Sequence, residues 1–220
     1  MKYNILKDMI ALLEVFEAES QLDEIYTKDT EGFIDWLMNR YAKDNDALEV
    51  DWEGKEKGRS AESVINTLLV HMGRYAKSYS KSAIHGSGFT SQDDFIYLIT
   101  LKSFGEMTKM DLIKKNVHEK PSGIQIINRL IAQGWVEQFN SSTDRRSKVL
   151  RISEQGLSVL EQQMDKIRMA SDIVTGNLTS KEKLELIRLL EKLDVFHLAI
   201  YDKQIESEHL LEEGVKSKKR

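Results

Sequence analysis

The 220-residue chain carries a formal net charge of −4, with 31% charged and 40% hydrophobic residues and no cysteine. That composition suits a globular protein of one or two domains, and the missing thiols exclude disulfides, thiolate nucleophiles, thiolate metal sites and thiol redox sensing. No apolar run approaches the ~20 residues of a membrane span. The first twenty residues, broken by Lys7, Asp8 and Glu14, lack the apolar centre of a signal peptide, so a cytoplasmic location is expected.

One proline and twelve glycines favour a mainly helical chain. Charge is unevenly spread. Residues 1–60 hold 8 Lys+Arg against 15 Asp+Glu, a net of −7, whereas residues 108–152 hold 9 against 4, a net of +5. A basic segment within an acidic protein is a candidate phosphate-binding face.

Residues 2–19 place Ile5, Leu6, Met9, Ile10, Leu13 and Phe16 near helical spacing, and a second helix is predicted over 30–42 around Phe33, Trp36 and Leu37. Residues 43–59, acidic and then rich in Gly and Lys, read as a loop or hinge. Trp36 and Trp52 are read as packing residues or, alternatively, as the wall of a ligand site. A long helix spans 60–84, and Gly86-Ser87-Gly88 ends it. Residues 90–104 form the next helix, opened by a capping box at Thr90-Ser91-Gln92-Asp93 and stopped by Gly105.

Thr108-Lys109-Met110-Asp111 has capping-box form and opens a short helix. After a turn at 116–120 comes Pro121, which suits a first helical turn and disfavours helix just before it. The helix from Pro121 to Gln133 carries an inward stripe of Ile124, Ile127, Leu130 and Ile131, and Gly134 ends it. Two strand-like runs follow, 135–139 and 147–152, with Lys148, Leu150 and Ile152 on one face of the second. The polar loop between them puts Asp144, Arg145 and Arg146 at the tip of a hairpin. An isolated Asp-Arg-Arg reads first as a solvated surface turn, and what precedes this hairpin reverses that reading. Short helix, tight turn, second helix and β-hairpin is the order of a winged helix-turn-helix. The expected fold is therefore mainly α with a small β-hairpin wing.

The residues 143–156, TDRRSKVLRISEQG, and 119–138, EKPSGIQIINRLIAQGWVEQ, resemble the wing and recognition helix of the multiple-antibiotic-resistance regulator (MarR) family. The resemblance covers most of residues 60–204 and implies helices at 60–84 and 157–204 that build a homodimer. The chain is thus expected to divide into an acidic extension (1–59), a dimerisation helix (60–88), a winged helix-turn-helix (89–156), further dimerisation helices (157–204) and a basic-ended tail (205–220), of which residues 212–220 are expected to be disordered. The resemblance implies a bacterial transcription regulator, a ligand-responsive repressor, binding double-stranded DNA at a pseudo-palindromic operator.

On these positions, Ser122 and Gln125 are expected to meet base edges or phosphates, and Gln can pair with adenine N6 and N7. Lys120, Arg129 and Lys148 would meet phosphates. Arg145 or Arg146 would enter the minor groove, positioned by Asp144. Arg129 has an alternative, an ion pair inside the domain. Gly123, where relatives carry a larger residue, would permit close backbone approach. An aromatic or anionic effector would use His71, Arg74, Tyr75, Tyr79 and Phe95, whose alternative is packing.

In residues 157–200, Leu157, Leu160, Met164, Ile167 and Met169 and then, after a capping box at Thr179–Glu182, Leu184, Ile187, Leu190, Leu193, Phe196 and Ile200 recur at three- and four-residue steps. This last seam calls for a second copy or for packing against 60–84. No catalytic motif, metal-ligand spacing or cofactor fingerprint is found, and no enzyme, metal or cofactor is expected. A different class of reading remains: a winged-helix protein-interaction module whose acidic extension docks a partner or masks the basic face.

Overall fold

The computed structural model describes residues 4–22, 26–46, 50–140 and 148–218. The chain divides into two compact units, Met1–Val64 and Ile65–Arg220.

In the first unit, α1 (Asn4–Leu22) packs on α2 (Thr30–Asp46) through an aromatic cluster. Phe16 and Trp36 are buried, and the Phe16, Phe33 and Trp36 ring centroids lie 5.3–5.9 Å apart. Asp29 starts α2 by accepting from the Gly32 backbone N–H at 2.9 Å. Trp36 Nε1 donates to Glu19 Oε2 at 2.7 Å, which gives the buried indole its partner. The expected loop over 43–59 is shorter than read: α2 runs to Asp46, and residues Lys55–Lys57 form a 3₁₀ turn between Gly54 and Gly58. Trp52 closes that turn, donating from Nε1 to the Arg59 carbonyl at 2.8 Å.

The second unit contains α3 (Ala61–Ala83, whose first turn belongs to the other unit), α4 (Gln92–Phe104), β1 (Met107–Thr108), α5 (Lys109–Lys115), α6 (Lys120–Ala132), β2 (Val136–Asn140), β3 (Lys148–Ile152), α7 (Glu154–Thr175), α8 (Ser180–Tyr201) and α9 (Ser207–Lys218). The strands form an antiparallel sheet in the order β1-β3-β2. Val136 pairs with Ile152 and Asn140 with Lys148, the register of a two-stranded wing. β1 pairs Met107 with Leu150 and has no counterpart in the sequence pattern, because two residues show no alternation.

One core joins α4, α5, α6, β3 and the first half of α7. Tyr97, Leu98, Leu112, Ile113, Ile127, Leu130, Leu150 and Leu160 are all buried to within 1%. The inward face of α6 is Gly123, Ile126, Ile127 and Leu130. The predicted stripe is rotated from this: Ile124 and Ile131 pack at its margins. The α4 cap lies one residue later than read, with Ser91 as N-cap and Asp94 closing the box. In α7, Leu160 and Ile167 point inward, but Met169 is 64% exposed and does not join the seam. Gly156 is required there, since a Cβ would lie 2.2 Å from the Trp135 carbonyl oxygen.

α3 and α8 stand apart from this core. Among their described residues only Ala83 and Ile200 are buried. Ile65, Leu68, Leu69 and Met72 on α3, and Leu184, Ile187, Leu190 and Leu193 on α8, remain 41–68% exposed. The tail also differs from expectation. Residues 207–218 are helical, because Leu210, Leu211 and Val215 recur at helical spacing, Lys216 and Lys218 complement the C-terminal end, and Glu213 pairs with Lys203.

Candidate nucleic-acid interface

Thr108 caps α5, its Oγ1 accepting from the Asp111 N–H at 3.1 Å. Asn116 ends α5 and is held from two sides: its Nδ2 donates to the Leu112 carbonyl at 2.7 Å, and its Oδ1 accepts from Thr100 Oγ1 at 3.2 Å. Glu119 is the N-cap of α6, and Pro121 occupies the first turn. α6 then crosses α5 at Gly123. An ideal Cβ on Gly123 would lie 2.4 Å from Ile113 Cγ1, so the missing side chain is what lets the two helices meet. The expected close approach at Gly123 is therefore to α5.

With Gly123, Ile126 and Ile127 turned inward, Lys120, Ser122 and Gln125 are exposed on the opposite side of the N-terminal half of α6. Backbone N–H groups at that end and the helix dipole favour an anion. Lys109 Nζ donates to Asn128 Oδ1 at 3.3 Å and joins α5 to the same face. Lys148 is exposed at the outer end of β3. Asp144, Arg145 and Arg146 lie outside the described residues.

Arg129 departs from its expected role. Its Nε and Nη2 donate to Asp94 Oδ1 at 2.9 and 2.5 Å. Asp94 is 1% exposed and also accepts from the Thr90 and Ser91 N–H groups at 2.7 and 3.1 Å. The guanidinium is thus the counter-charge of a buried carboxylate and ties α6 to the start of α4. The sequence offered this alternative without its partner; the shifted capping box hid Asp94. Arg151 is likewise engaged. It pairs with Glu137 at 2.8 Å and Glu106 at 3.7 Å, and the Glu137 hydrogen bond holds its guanidinium still more firmly charged. Lys114 pairs with Asp202 at 3.6 Å. Among the described residues, Arg129, Arg151 and Lys114 are thus committed to pairs within the chain, while Lys109, Lys120 and Lys148 have no acidic partner.

The expected effector residues are not gathered into a pocket. Phe95 is buried in the core, its ring 6.2 Å from that of Phe89. His71, Arg74, Tyr75 and Tyr79 are exposed along α3, with the His71 and Tyr75 rings 6.5 Å apart. Phe95 alternates with Tyr97 and Leu98 on a helix buried nearly all round, so periodicity could not tell wall from core. Among the described residues no three His, Asp or Glu side chains gather as metal ligands, and no helix is long and apolar enough to cross a membrane.

Residues 89–156 match a family described as winged helix DNA-binding domain. The chain is 26% identical over 99 residues to the HTH-type transcriptional repressor NicR of Pseudomonas putida, covering 45% of this chain and 63% of that protein. It thus spans less than two thirds of NicR. It is also 26% identical over 102 residues to the multiple antibiotic resistance protein MarR of Salmonella typhimurium, covering 45% of this chain and 69% of MarR. Bordetella bronchiseptica BpsR, whose DNA binding is regulated by 6-hydroxynicotinic acid, superposes with a TM-score of 0.56 at 19% identity, over 62% of this chain and 96% of BpsR. With a winged helix DNA-binding domain between two further helical segments, the chain is similar to transcription regulators that include NicR and MarR.

Proposed function

We propose that the protein is a homodimeric, sequence-specific DNA-binding transcription regulator, a cytoplasmic repressor on a pseudo-palindromic operator. The observation that carries this reading is the exposed trio Lys120, Ser122 and Gln125 at the N-terminal end of α6, within the matched winged helix. α6 enters the major groove by that end, with Ser122 and Gln125 at base edges and Lys120 and Lys148 at phosphates. The wing residues Asp144, Arg145 and Arg146 reach the minor groove. Arg129 is left to the fold.

The second copy packs on the open apolar faces of α3 and α8. A stable interface of this kind buries on the order of 1,200–2,000 Å². Leu190→Asp is expected to shift the protein to monomer in sedimentation analysis. The regulation of BpsR by an aromatic acid supports a similar effector class here, with Arg74 on α3 as the cation. Selection from a random duplex library tests the whole reading. A two-fold symmetric motif should emerge, and Arg145→Ala/Arg146→Ala should relax it; salt-steep, sequence-independent binding would reject the reading.

A second reading is favoured by the exposed Ile5, Leu6, Met9, Ile10 and Leu13 on α1. In it the acidic extension docks a protein partner. Unchanged operator affinity after deletion of residues 1–59 would remove any masking role.

A further inference from the structure

The turn that leads into α6 is not one its own sequence favours. Val117, β-branched, has φ +51°, the left-handed region in which such a residue is strained. The next residue, His118, is held from outside at three points. The Tyr201 hydroxyl, on the last residue of α8, donates to the His118 carbonyl at 2.6 Å. The Tyr97 hydroxyl, on α4, hydrogen-bonds His118 Nδ1 at 3.1 Å. The Asp93 carboxylate lies 3.8 Å from His118 Nε2. Beside Tyr201, Asp202 pairs with Lys114 on α5 at 3.6 Å. His118 precedes the first residue of α6 by only two positions.

The other end of this connection is the helix with the open seam. α8 carries Leu184, Ile187, Leu190 and Leu193, the residues assigned above to the second copy. One hydrogen bond therefore fastens the end of that helix to the strained turn from which α6 starts, and one ion pair fastens it to the end of α5 just before that turn. Helices joined at a shared terminus move together, and a turn that needs outside contacts follows whatever supplies them. Tyr201 holds a backbone carbonyl, so its effect is on the path of the chain and not on the identity of a DNA-facing side chain.

We propose that Tyr201 is a positioning residue, which sets α6 relative to α8 and so fixes the separation of the two recognition helices in the dimer. The inference rests on the dimeric DNA-reading function. The full-length protein and its Tyr201→Phe variant are compared on the selected operator and on versions with one or two base pairs inserted between half-sites. The parent protein should prefer the selected spacing by about tenfold or more, in the range of a single altered base pair. The variant should bind that operator roughly fivefold more weakly, the order of one neutral hydrogen bond. Its spacing preference should collapse, while the base preference within each half-site and the dimer stay unchanged. Asp202→Asn keeps the Tyr201 hydroxyl and should show the same loss to a smaller degree, independently of any folding defect in the first variant. A uniform loss on every spacing, or full retention of the preference, overturns the role of Tyr201. A parent protein that selects no symmetric site overturns the DNA-reading function instead, and the parent arm alone reveals it.

Discussion

Replacing Gly123 with alanine separates two accounts of the recognition helix by the sign of one number. Alanine is the better helix former by about 1 kcal/mol, so an unconstrained Gly123→Ala variant would be more stable by about that amount. The structure opposes this. The new Cβ would sit 2.4 Å from Ile113 Cγ1 and 3.0 Å from both Cδ1 and Cγ2, where carbon atoms prefer roughly 3.5–4.0 Å. Ile113 is 1% exposed and β-branched, so its χ1 cannot swing aside cheaply. Overpacking of this kind costs about 1–3 kcal/mol, and strain near the top of that range outweighs the propensity gain. The expected net loss is about 1–2 kcal/mol, or roughly 2–8 °C in Tm for a protein of this size. Urea and thermal unfolding at one fixed protein concentration read it directly. An Ile113→Ala background, itself destabilised by about 2–5 kcal/mol, removes all three opposing atoms. On it Gly123→Ala should become stabilising, with a coupling of about 2–3 kcal/mol. If Gly123→Ala stabilises the parent protein and weakens only DNA binding, the glycine serves the DNA and the packing argument fails.

Asp94→Ala removes the acceptor for Arg129 and for two backbone N–H groups, and should cost about 3–5 kcal/mol in denaturant unfolding; a loss under 1 kcal/mol would show the pair to be incidental. For DNA binding, Lys120→Ala should lower the slope of log affinity against log salt by about 1, whereas Arg129→Ala should leave it unchanged where the variant is folded. Gln125→Ala should cost about 1–3 kcal/mol on the preferred operator and relax one base position. Burial, and then the charge of Asp93, push the Tyr97 hydroxyl well above the ordinary tyrosine range. A raised pKa in the folded state gives stability that is complete below about pH 10, the unfolded value, and declines as pH rises beyond it. Tyr97→Phe should therefore flatten the fall of Tm above pH 10, and an identical slope in the variant would contradict the assignment.

The winged helix is legible in the amino-acid sequence because its parts announce themselves locally. Thr108 and Thr179 cap where capping boxes predict, Pro121 opens α6, and Leu150 falls on the buried face of an alternating strand. Such signals depend on residues a few positions apart, which the chain sets whatever surrounds it. Ser122 and Gln125 are readable for the same reason, since the turn of a helix places them opposite its apolar stripe. Tertiary structure decided what depends on distant partners. It gave Arg129 to Asp94, thirty-five residues away, and Arg151 to Glu137 and Glu106, so charges counted toward DNA are paired within the chain. It showed that Gly123 makes room for Ile113, and that Phe95 belongs to the core. It also brought Tyr201 to His118 across eighty-three residues. A sequence states which side chains can pair, but a long-range pair is chosen by the packing that brings two segments together, and no local pattern encodes that choice.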